Sequence, residues 1–261
     1  MTSPADPPSS PALPGAVGVL LAAGAGRRMG RPKALVVGDD GEPWLVRGVR
    51  VLREGGCADV VVVLGAEAAR ARALLAASTP SRSSGAGTGT DARSGNPADA
   101  PSSSDTPTAP TPPDQADPPT ASDPPDSSPP PGDIRIVEVA DWLEGIGASL
   151  RAGLADVRNA GEASTAARFA VVTLVDLPEL RPEAIRRLAT GATETSLRQA
   201  FYAGRPGHPV VIGAAHLDAL RATLHGDVGA RPYLRANGAE AVDCTDLGGG
   251  DDVDAPPLRA G

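Results

Sequence analysis

One stretch of the chain, residues 19–33, combines residue types that suit phosphate chemistry: VLLAAGAGRRMGRPK. It has the pattern of a buried strand followed by a glycine-rich turn and spaced cations. Backbone N–H groups at the carboxyl end of a strand, together with a nearby cation, are what a triphosphate requires. Glycine is needed where the backbone takes a positive φ or approaches a phosphate oxygen closely. The stretch therefore predicts a phosphate-binding loop followed by well-spaced cations.

Two familiar phosphate loops do not fit this stretch. A Walker A loop requires Gly-Lys-Ser/Thr after its spacer, and the residues that follow Gly24 do not supply it. A dinucleotide fingerprint requires a third glycine at position 29, where this chain has Met29. The pattern therefore disfavours both a P-loop NTPase and a nicotinamide-dependent oxidoreductase.

Asp176 directly follows the apolar run 169–175, which has the pattern of a buried strand. A carboxylate at the carboxyl end of a buried strand points into the crevice where such sheets bind ligands. Mg²⁺ is usually held by one or two carboxylates plus substrate phosphates, so Asp176 is a candidate metal ligand. The alternative is an ordinary turn or helix-capping aspartate.

A second group of carboxylates lies near the end of the sequence, at Asp252 and Asp254. Alternate residues of an extended segment point the same way, so these two side chains can share one metal site. Composition alone favours a solvated acidic tail.

The run Gly-x-Gly-x-Arg-Met-Gly-x-x-Lys, from Gly24 to Lys33, resembles the signature loop of nucleotidyltransferases that build molybdenum cofactor dinucleotides. The chain thus resembles the molybdenum cofactor cytidylyltransferases within the MobA-like NTP transferase family. The resemblance implies that Arg28 and Lys33 bind the triphosphate and that Asp176, Asp252 and Asp254 hold Mg²⁺. It also implies that the backbone of the loop holds base and phosphates, at Leu21, Ala22, Ala23, Gly24 and Gly26.

Three further segments extend the resemblance. Residues 142–153 are similar to the segment that enters a helix beside the base in the cytidylyl-transferring branch. This similarity implies nucleotide contacts at Gly147 and Ser149. The spacing of these residues alone also fits a plain helix start. Residues 204–210 and 226–231 are similar to segments on the acceptor side, which points to His208 and Asp227. A lone histidine in a constrained turn can equally be structural. The chain departs from the family near its acidic segment: Ala255 stands where the family usually has Thr, and Pro257 replaces a common acidic residue.

Composition narrows the class of protein. The chain has 261 residues and a net charge of −8, which argues against a nucleic-acid partner. Its two cysteines, Cys57 and Cys244, lie far apart and suggest neither a zinc site nor a disulfide framework. The first residues lack the basic region of a signal peptide, and the apolar run 16–23 is too short to span a bilayer. We expect a cytoplasmic protein without membrane contact.

The order of apolar runs predicts an α/β fold with a mainly parallel sheet covered by helices on both faces. The resemblance implies that this fold is of the three-layer, Rossmann-like nucleotidyltransferase type. Residues 16–261 form the predicted domain. Residues 1–15 are rich in Pro, Ser and Ala and are expected to be a disordered tail. Residues 78–132 contain no Val, Ile, Leu, Met or aromatic residue and are expected to be a long disordered insertion. We predict strands over 17–23, 59–64, 134–139 and 169–175, and helices over 43–54, 66–77, 148–158 and 182–189.

Together these features predict a Mg²⁺-dependent nucleotidyltransferase. The resemblance implies transfer of CMP from CTP to a phosphorylated small molecule such as the molybdopterin cofactor, with release of pyrophosphate and with a molybdoenzyme as a possible client. Alternatives within the fold are guanylyl transfer, or a sugar-phosphate or phospholactate acceptor. Outside the enzyme class, the chain can be a non-catalytic nucleotide-binding module with a proline-rich loop. Intact Lys33 and Asp176 argue against that reading.

Overall fold

The computed structural model describes residues 12–78, 132–160 and 167–253. Within these residues, seven strands form one sheet in the order β3-β2-β1-β4-β6-β5-β7. Pairing is parallel except that β6 runs antiparallel to both β4 and β5. The strands are β1 (Ala16–Ala22), β2 (Asp59–Leu64), β3 (Ile134–Glu138), β4 (Phe169–Leu174), β5 (Leu197–Tyr202), β6 (Arg205–Gly213) and β7 (Glu240–Asp243).

The centre of the sheet is apolar on both faces. Every residue of β1 is buried, and so are the four valines and the leucine that follow Asp59 in β2. β-branched side chains suit a pleated strand, and a strand covered on both faces needs no polar alternation. These strands therefore form the rigid platform whose carboxyl edge carries the candidate site.

Helices cover both faces of the sheet and form the two outer layers of a three-layer fold. On one face lie α1 (Trp44–Glu54), α2 (Ala68–Ser78) and α4 (Pro182–Ala189), and on the other lie α3 (Ile146–Ala160), α5 (Leu217–Arg221) and α6 (Arg231–Ala236). Leu52 and Ile185 are buried in the first core, and Leu154 and Leu220 in the second. This is the three-layer arrangement that the sequence predicts.

The predicted sheet is confirmed, with small shifts at element ends. Helix α3 begins at Ile146, two residues before the predicted start, and α2 begins at Ala68 rather than residue 66. The three strands after residue 190 are absent from the sequence-based prediction. One of them, β6, contains Pro206 and Pro209, which normally argue against a strand. Among the described residues, no helix is long and apolar enough to cross a membrane.

The predicted tail and insertion fall mostly outside the described residues. Four residues of the tail, 12–15, are described, and Leu13 packs against the core while its N–H donates to the carbonyl of Gly56 at 2.9 Å. Leu13 thus partly buries its side chain against the domain, and the remaining residues of the predicted tail, 1–11, lie outside the described residues.

Candidate active site

The glycine-rich loop leaves β1 and folds back on itself. Gly26 has φ +57°, and a Cβ atom there would lie 2.0 Å from the carbonyl oxygen of Arg31. Only glycine tolerates both the left-handed conformation and this close approach. Met29 packs against the core and fastens the turn formed by residues 27–29. The fold of the loop thus brings Lys33 back towards the end of β1.

Lys33 and Asp176 form the central contact of the site. The Nζ atom of Lys33 donates to Oδ2 of Asp176 at 2.6 Å, and both side chains are largely buried, with 17% and 14% exposed. Asp176 follows β4 directly, and Val175 donates its N–H to the carbonyl of Leu21 at 3.1 Å. The predicted triphosphate cation and the predicted metal ligand therefore lie together at the carboxyl edge of the sheet.

The second carboxylate oxygen of Asp176 shows what else this site can hold. Oδ1 of Asp176 is buried and has no hydrogen-bond partner. An unpartnered buried carboxylate oxygen is costly unless a cation or donor satisfies it. A divalent cation is one group that fits this position, as the donor chemistry of Asp176 indicates.

The end of the described chain returns to the same place. Val253 donates its N–H to the carbonyl of Asp176 at 3.0 Å, so the preceding residue, Asp252, lies beside the candidate metal ligand. Asp252 is exposed, and Asp254 lies outside the described residues. Residues 12–78, 132–160 and 167–253 contain no group of three or more His, Cys, Asp or Glu side chains that could hold a metal ion.

A cavity of about 420 Å³ opens over the glycine-rich loop and the Lys33–Asp176 pair. We name it the donor cavity. Its lining includes most of the residues predicted to bind nucleotide: Leu21, Ala23, Gly24, Gly26, Lys33, Ser149 and Asp176. Ser149 is only 5% exposed and is one of few buried polar side chains among the described residues.

Three of the predicted nucleotide residues are placed differently. The lining includes Arg27, whereas Arg28 is exposed on the same short turn. Ala22 is buried in the core. Gly147 packs against the neighbouring loop, where a Cβ atom would lie 2.9 Å from the carbonyl oxygen of Gly226. The small size of Gly147 is thus explained by loop packing.

A second cavity, of about 480 Å³, adjoins the first. We name it the acceptor cavity, because both predicted acceptor-side residues, His208 and Asp227, line it. Most of its lining is aliphatic, with polar side chains contributed by Gln199 and Arg231 as well. Leu21, Ile146 and Asp227 line both cavities, so two ligands bound in them would meet at these residues.

Burial sets the charge state of His208. It lowers the pKa of the imidazole because it penalises the charged form, and the hydrogen bond to the carbonyl of Val172, with nearby Asp176 and Asp252, offsets part of that shift. Nδ1 of His208 lies 3.4 Å from the Val172 carbonyl oxygen. His208 is therefore neutral at pH 7 and faces the acceptor cavity without adding charge.

Several lining residues were not singled out from the sequence. Trp142, Leu143 and Glu144 form one turn of helix at the wall of the donor cavity. Leu143 is 66% exposed, which is unusual for leucine. The segment 142–153 was recognised by its resemblance, but its first residues carried no periodic or charge signal. Arg231 lay inside a recognised segment and is the cation of the acceptor cavity.

A glycine-rich loop with a lysine at the carboxyl edge of a mainly parallel sheet, facing a strand-end aspartate, defines a nucleotide-binding α/β protein of the nucleotidyltransferase class. The sequence matches the MobA-like NTP transferase domain over residues 18–110 and 113–242. The chain belongs to this family, as its loop predicted.

Individual relatives point in more than one functional direction. The chain is 32% identical to nicotine blue oxidoreductase from Paenarthrobacter nicotinovorans, over 93% of each sequence. A nucleotidyl transferase from Methanothermobacter thermautotroptrophicus has a similar structure, with TM-score 0.59, 16% identity and 92% of each chain covered. The manganese complex of Rv0371c from Mycobacterium tuberculosis H37Rv gives TM-score 0.51 at 22% identity, covering 87% of this chain and 88% of that one. The two structural likenesses establish the fold.

Proposed function

We propose that this protein transfers a nucleoside monophosphate, CMP from CTP, to a phosphorylated ring-bearing acceptor such as the molybdopterin cofactor. The observation that carries the proposal is the pair of adjoining cavities, one built on the glycine-rich loop and Lys33 and the other beside it. Two cavities that share a wall suit a reaction between two bound substrates, because positioning alone supplies much of the acceleration.

The charged residues at the donor cavity have distinct roles in this reaction. The ammonium of Lys33 neutralises triphosphate charge, with Arg28 assigned to the same task by the family resemblance. Lys33 exchanges its contact with Asp176 for contacts with the nucleotide phosphates, which leaves the Asp176 carboxylate for the divalent cation. The acceptor phosphate forms a bond to the α-phosphorus, and the bond from that phosphorus to the β-phosphate oxygen breaks. Pyrophosphate leaves with the electron pair, so no side-chain nucleophile is required.

The reaction is proposed to need a divalent cation, Mg²⁺. Asp176 and Asp252 would hold it, with Asp254 as a third ligand, and it would supply charge neutralisation at the phosphates. The buried, unpartnered Oδ1 of Asp176 supports this assignment. The manganese in the mycobacterial structure is consistent with it.

Nucleotide choice is tested by calorimetric titration of the full chain with CTP, GTP, ATP and UTP, each with Mg²⁺. The proposal expects CTP to bind most tightly, and binding in Asp176→Asn to lose its dependence on Mg²⁺. Asp246→Asn is the matched control, since Asp246 is an exposed partner of Arg187. Tightest binding of GTP would redirect the proposal to guanylyl transfer.

A second candidate function follows from the relative named as an oxidoreductase. At 32% identity over 93% of both chains, that relative shares the whole domain. A nicotinamide dinucleotide carries a pyrophosphate that Lys33 and the glycine-rich loop can bind, and the largely aliphatic acceptor cavity can take an organic ring for hydride transfer. Met29, which replaces a glycine of the usual dinucleotide loop, argues against this candidate.

The two candidates differ in what they consume. The full chain is mixed with NADH or NADPH and a redox dye, and loss of reduced cofactor is followed by absorbance. The transferase proposal expects no enzyme-dependent loss. Cofactor oxidation that depends on Lys33 would establish the oxidoreductase candidate.

We also propose a reducing, cytoplasmic setting. Cys57 and Cys244 are both buried and form no disulfide, and burial raises the pKa of the Cys57 thiol to about 12. Such thiols are inert hydrophobic residues, which suits a compartment where disulfides do not form.

A further inference from the structure

The walls of the two cavities depend on two short segments outside the sheet. Residues 141–145 form a single helical turn at the donor cavity. Residues 224–228 form a tight turn in which Val228 donates its N–H to the carbonyl of His225 at 2.9 Å, and which carries Asp227 at its tip. Neither segment has strand pairing in the main sheet to hold it, so contacts between the segments and with α3 fix their relative positions.

Arg151, in the second turn of α3, reaches both segments. Its Nη1 donates to the carbonyl of Leu224 at 2.9 Å and to Oε1 of Glu144 at 3.3 Å. Its Nη2 donates to Oε2 of Glu144 at 3.0 Å and to Oδ2 of Asp141 at 3.2 Å. A planar guanidinium can make this set of contacts with two segments at once, whereas a lysine ammonium lacks the fork geometry.

Backbone groups of the 224–228 turn also contact the 141–145 segment and the start of α3 directly. Gly226 donates its N–H to Oε1 of Glu144 at 3.1 Å, and Gly147 donates its N–H to the carbonyl of Gly226 at 2.9 Å. Gly145, at φ +132°, leaves room for the carboxylate of Asp227, since a Cβ atom would lie 2.4 Å from its Oδ1. Hydrogen bonds from Arg151 and Gly226 also hold the pKa of Glu144 below its usual range.

We propose that Arg151 is a positioning residue that fixes the turn carrying Asp227 against the 141–145 segment, and so sets the geometry between donor and acceptor. Arg151 itself lines neither cavity. The inference rests on the proposed function, because it concerns the wall where the two ligands meet. It predicts that loss of Arg151 impairs the transfer step more than nucleotide binding, since Lys33 and the glycine-rich loop remain in place.

The experiment compares Arg151→Ala and Arg151→Lys with Arg158→Ala and Arg158→Lys in the full chain. Arg158 lies on the same helix and pairs with exposed Asp218 at 3.0 Å, away from both cavities. Pyrophosphate release gives kcat and KM with CTP, Mg²⁺ and molybdopterin, and calorimetry gives the Kd for CTP. Melting temperatures show that each variant is folded.

The proposal expects both Arg151 variants to lose about tenfold to a hundredfold in kcat while the Kd for CTP changes by less than about threefold. Addition of guanidinium ion should restore part of the kcat of Arg151→Ala. The Arg158 variants should match the wild type. A kcat within about twofold of wild type in Arg151→Lys, or equal losses of kcat and CTP affinity, would overturn it. If Arg151→Ala does not fold, the kcat and the Kd for CTP of Arg151→Lys alone test the proposal. Absence of turnover in the wild type would instead count against the proposed function.

Discussion

Lys33 and Asp176 show how the site balances its own charges. Each is mostly buried, and each would carry an uncompensated charge without the other. Lys33 is the single lysine in the sequence of 261 residues, against many arginines. A compact, flexible ammonium can turn from a carboxylate to a phosphate more readily than a planar guanidinium can. The pair therefore suits a site whose occupant brings negative charge.

The first prediction concerns triphosphate binding by Lys33. Lys33→Ala removes a charge-assisted contact, and we expect CTP affinity to fall by about tenfold to a hundredfold in calorimetric titration. Arg70→Ala is the charge-matched control, because Arg70 is an exposed residue of α2. Unchanged affinity in Lys33→Ala would remove Lys33 from the phosphate site.

The second prediction concerns pH and His208. Burial lowers the pKa of His208 in the folded protein below the value of about 6.5 expected when unfolded. The unfolded state therefore binds more protons as the pH falls below that value, and folding stability is lost with it. Denaturant unfolding between about pH 7.5 and about pH 5.5 should show a smaller loss of stability for His208→Gln than for the wild type.

The control for this prediction is His225→Gln, at an exposed histidine near the acceptor cavity. It should lose as much stability as the wild type over the same range. If His208→Gln also follows the wild type, His208 is protonated as easily in the folded protein as in the unfolded one.

The predictability of the site differs from residue to residue. Gly24 and Asp176 could be found from the sequence because each follows an apolar strand pattern, and Lys33 because it closes the glycine-rich run that begins at Gly24. Trp142, Arg231 and Arg151 could not be assigned roles, because their positions depend on how the 141–145 and 224–228 segments fold together. A long-range contact of this kind leaves no local pattern. The choice between Arg27 and Arg28 at the donor cavity likewise depends on the path of one short turn.

At the scale of elements, glycines let the helices lie close to the sheet. A Cβ atom at Gly48 of α1 would lie 2.9 Å from methyl carbons of Leu20, and one at Gly153 of α3 would lie 2.9 Å from methyl carbons of Val19 and Val63. The two helices lie on opposite faces of β1. Both contacts therefore hold the strand that delivers the glycine-rich loop.

The third prediction tests this packing. Alanine is favoured over glycine inside a helix by about 1 kcal/mol, so propensity alone predicts that Gly153→Ala stabilises the protein. The valine methyl groups facing Gly153 are stiff at χ1, and we expect a lower melting temperature instead. Ala155→Gly on the same helix should show the ordinary propensity cost. A higher melting temperature in Gly153→Ala would mean that α3 can move away from the sheet.

Elements were predictable where periodicity was strong. The strands of the parallel half and α4 follow from continuous apolar runs and from Pro182 at the first turn of the helix. The half after residue 190 was not predictable in the same way. Strand β6 carries two prolines, and β5 has an irregular burial pattern with a register shift between Gln199 and Phe201. Tertiary pairing decides their structure.

At the scale of the whole molecule, residues 78–132, which we expect to be an insertion, are the feature that sets this chain apart from a minimal α/β domain. Helix α2 ends at Ser78 and β3 begins at Ile134. In a parallel βαβ unit the end of the helix and the start of the next strand lie at the same edge of the sheet, so a short connection suffices. Residues 78–132 contain no Val, Ile, Leu, Met or aromatic side chain that could contribute to a core.

The fourth prediction follows. Replacing residues 80–131 by a short Gly-Ser linker should leave the melting temperature within a few degrees of the wild type and kcat nearly unchanged. Calorimetric melting and the pyrophosphate assay measure the two quantities. A large fall in melting temperature would show that the insertion contributes packing that its composition does not predict.

The most direct test of the central claim is pyrophosphate release by the full chain with Mg²⁺, each of the four nucleoside triphosphates in turn, and molybdopterin. The account predicts release with CTP and molybdopterin together, and none with CTP alone. Absence of release with every nucleotide, together with oxidation of a reduced nicotinamide cofactor in the presence of an organic acceptor, would contradict it.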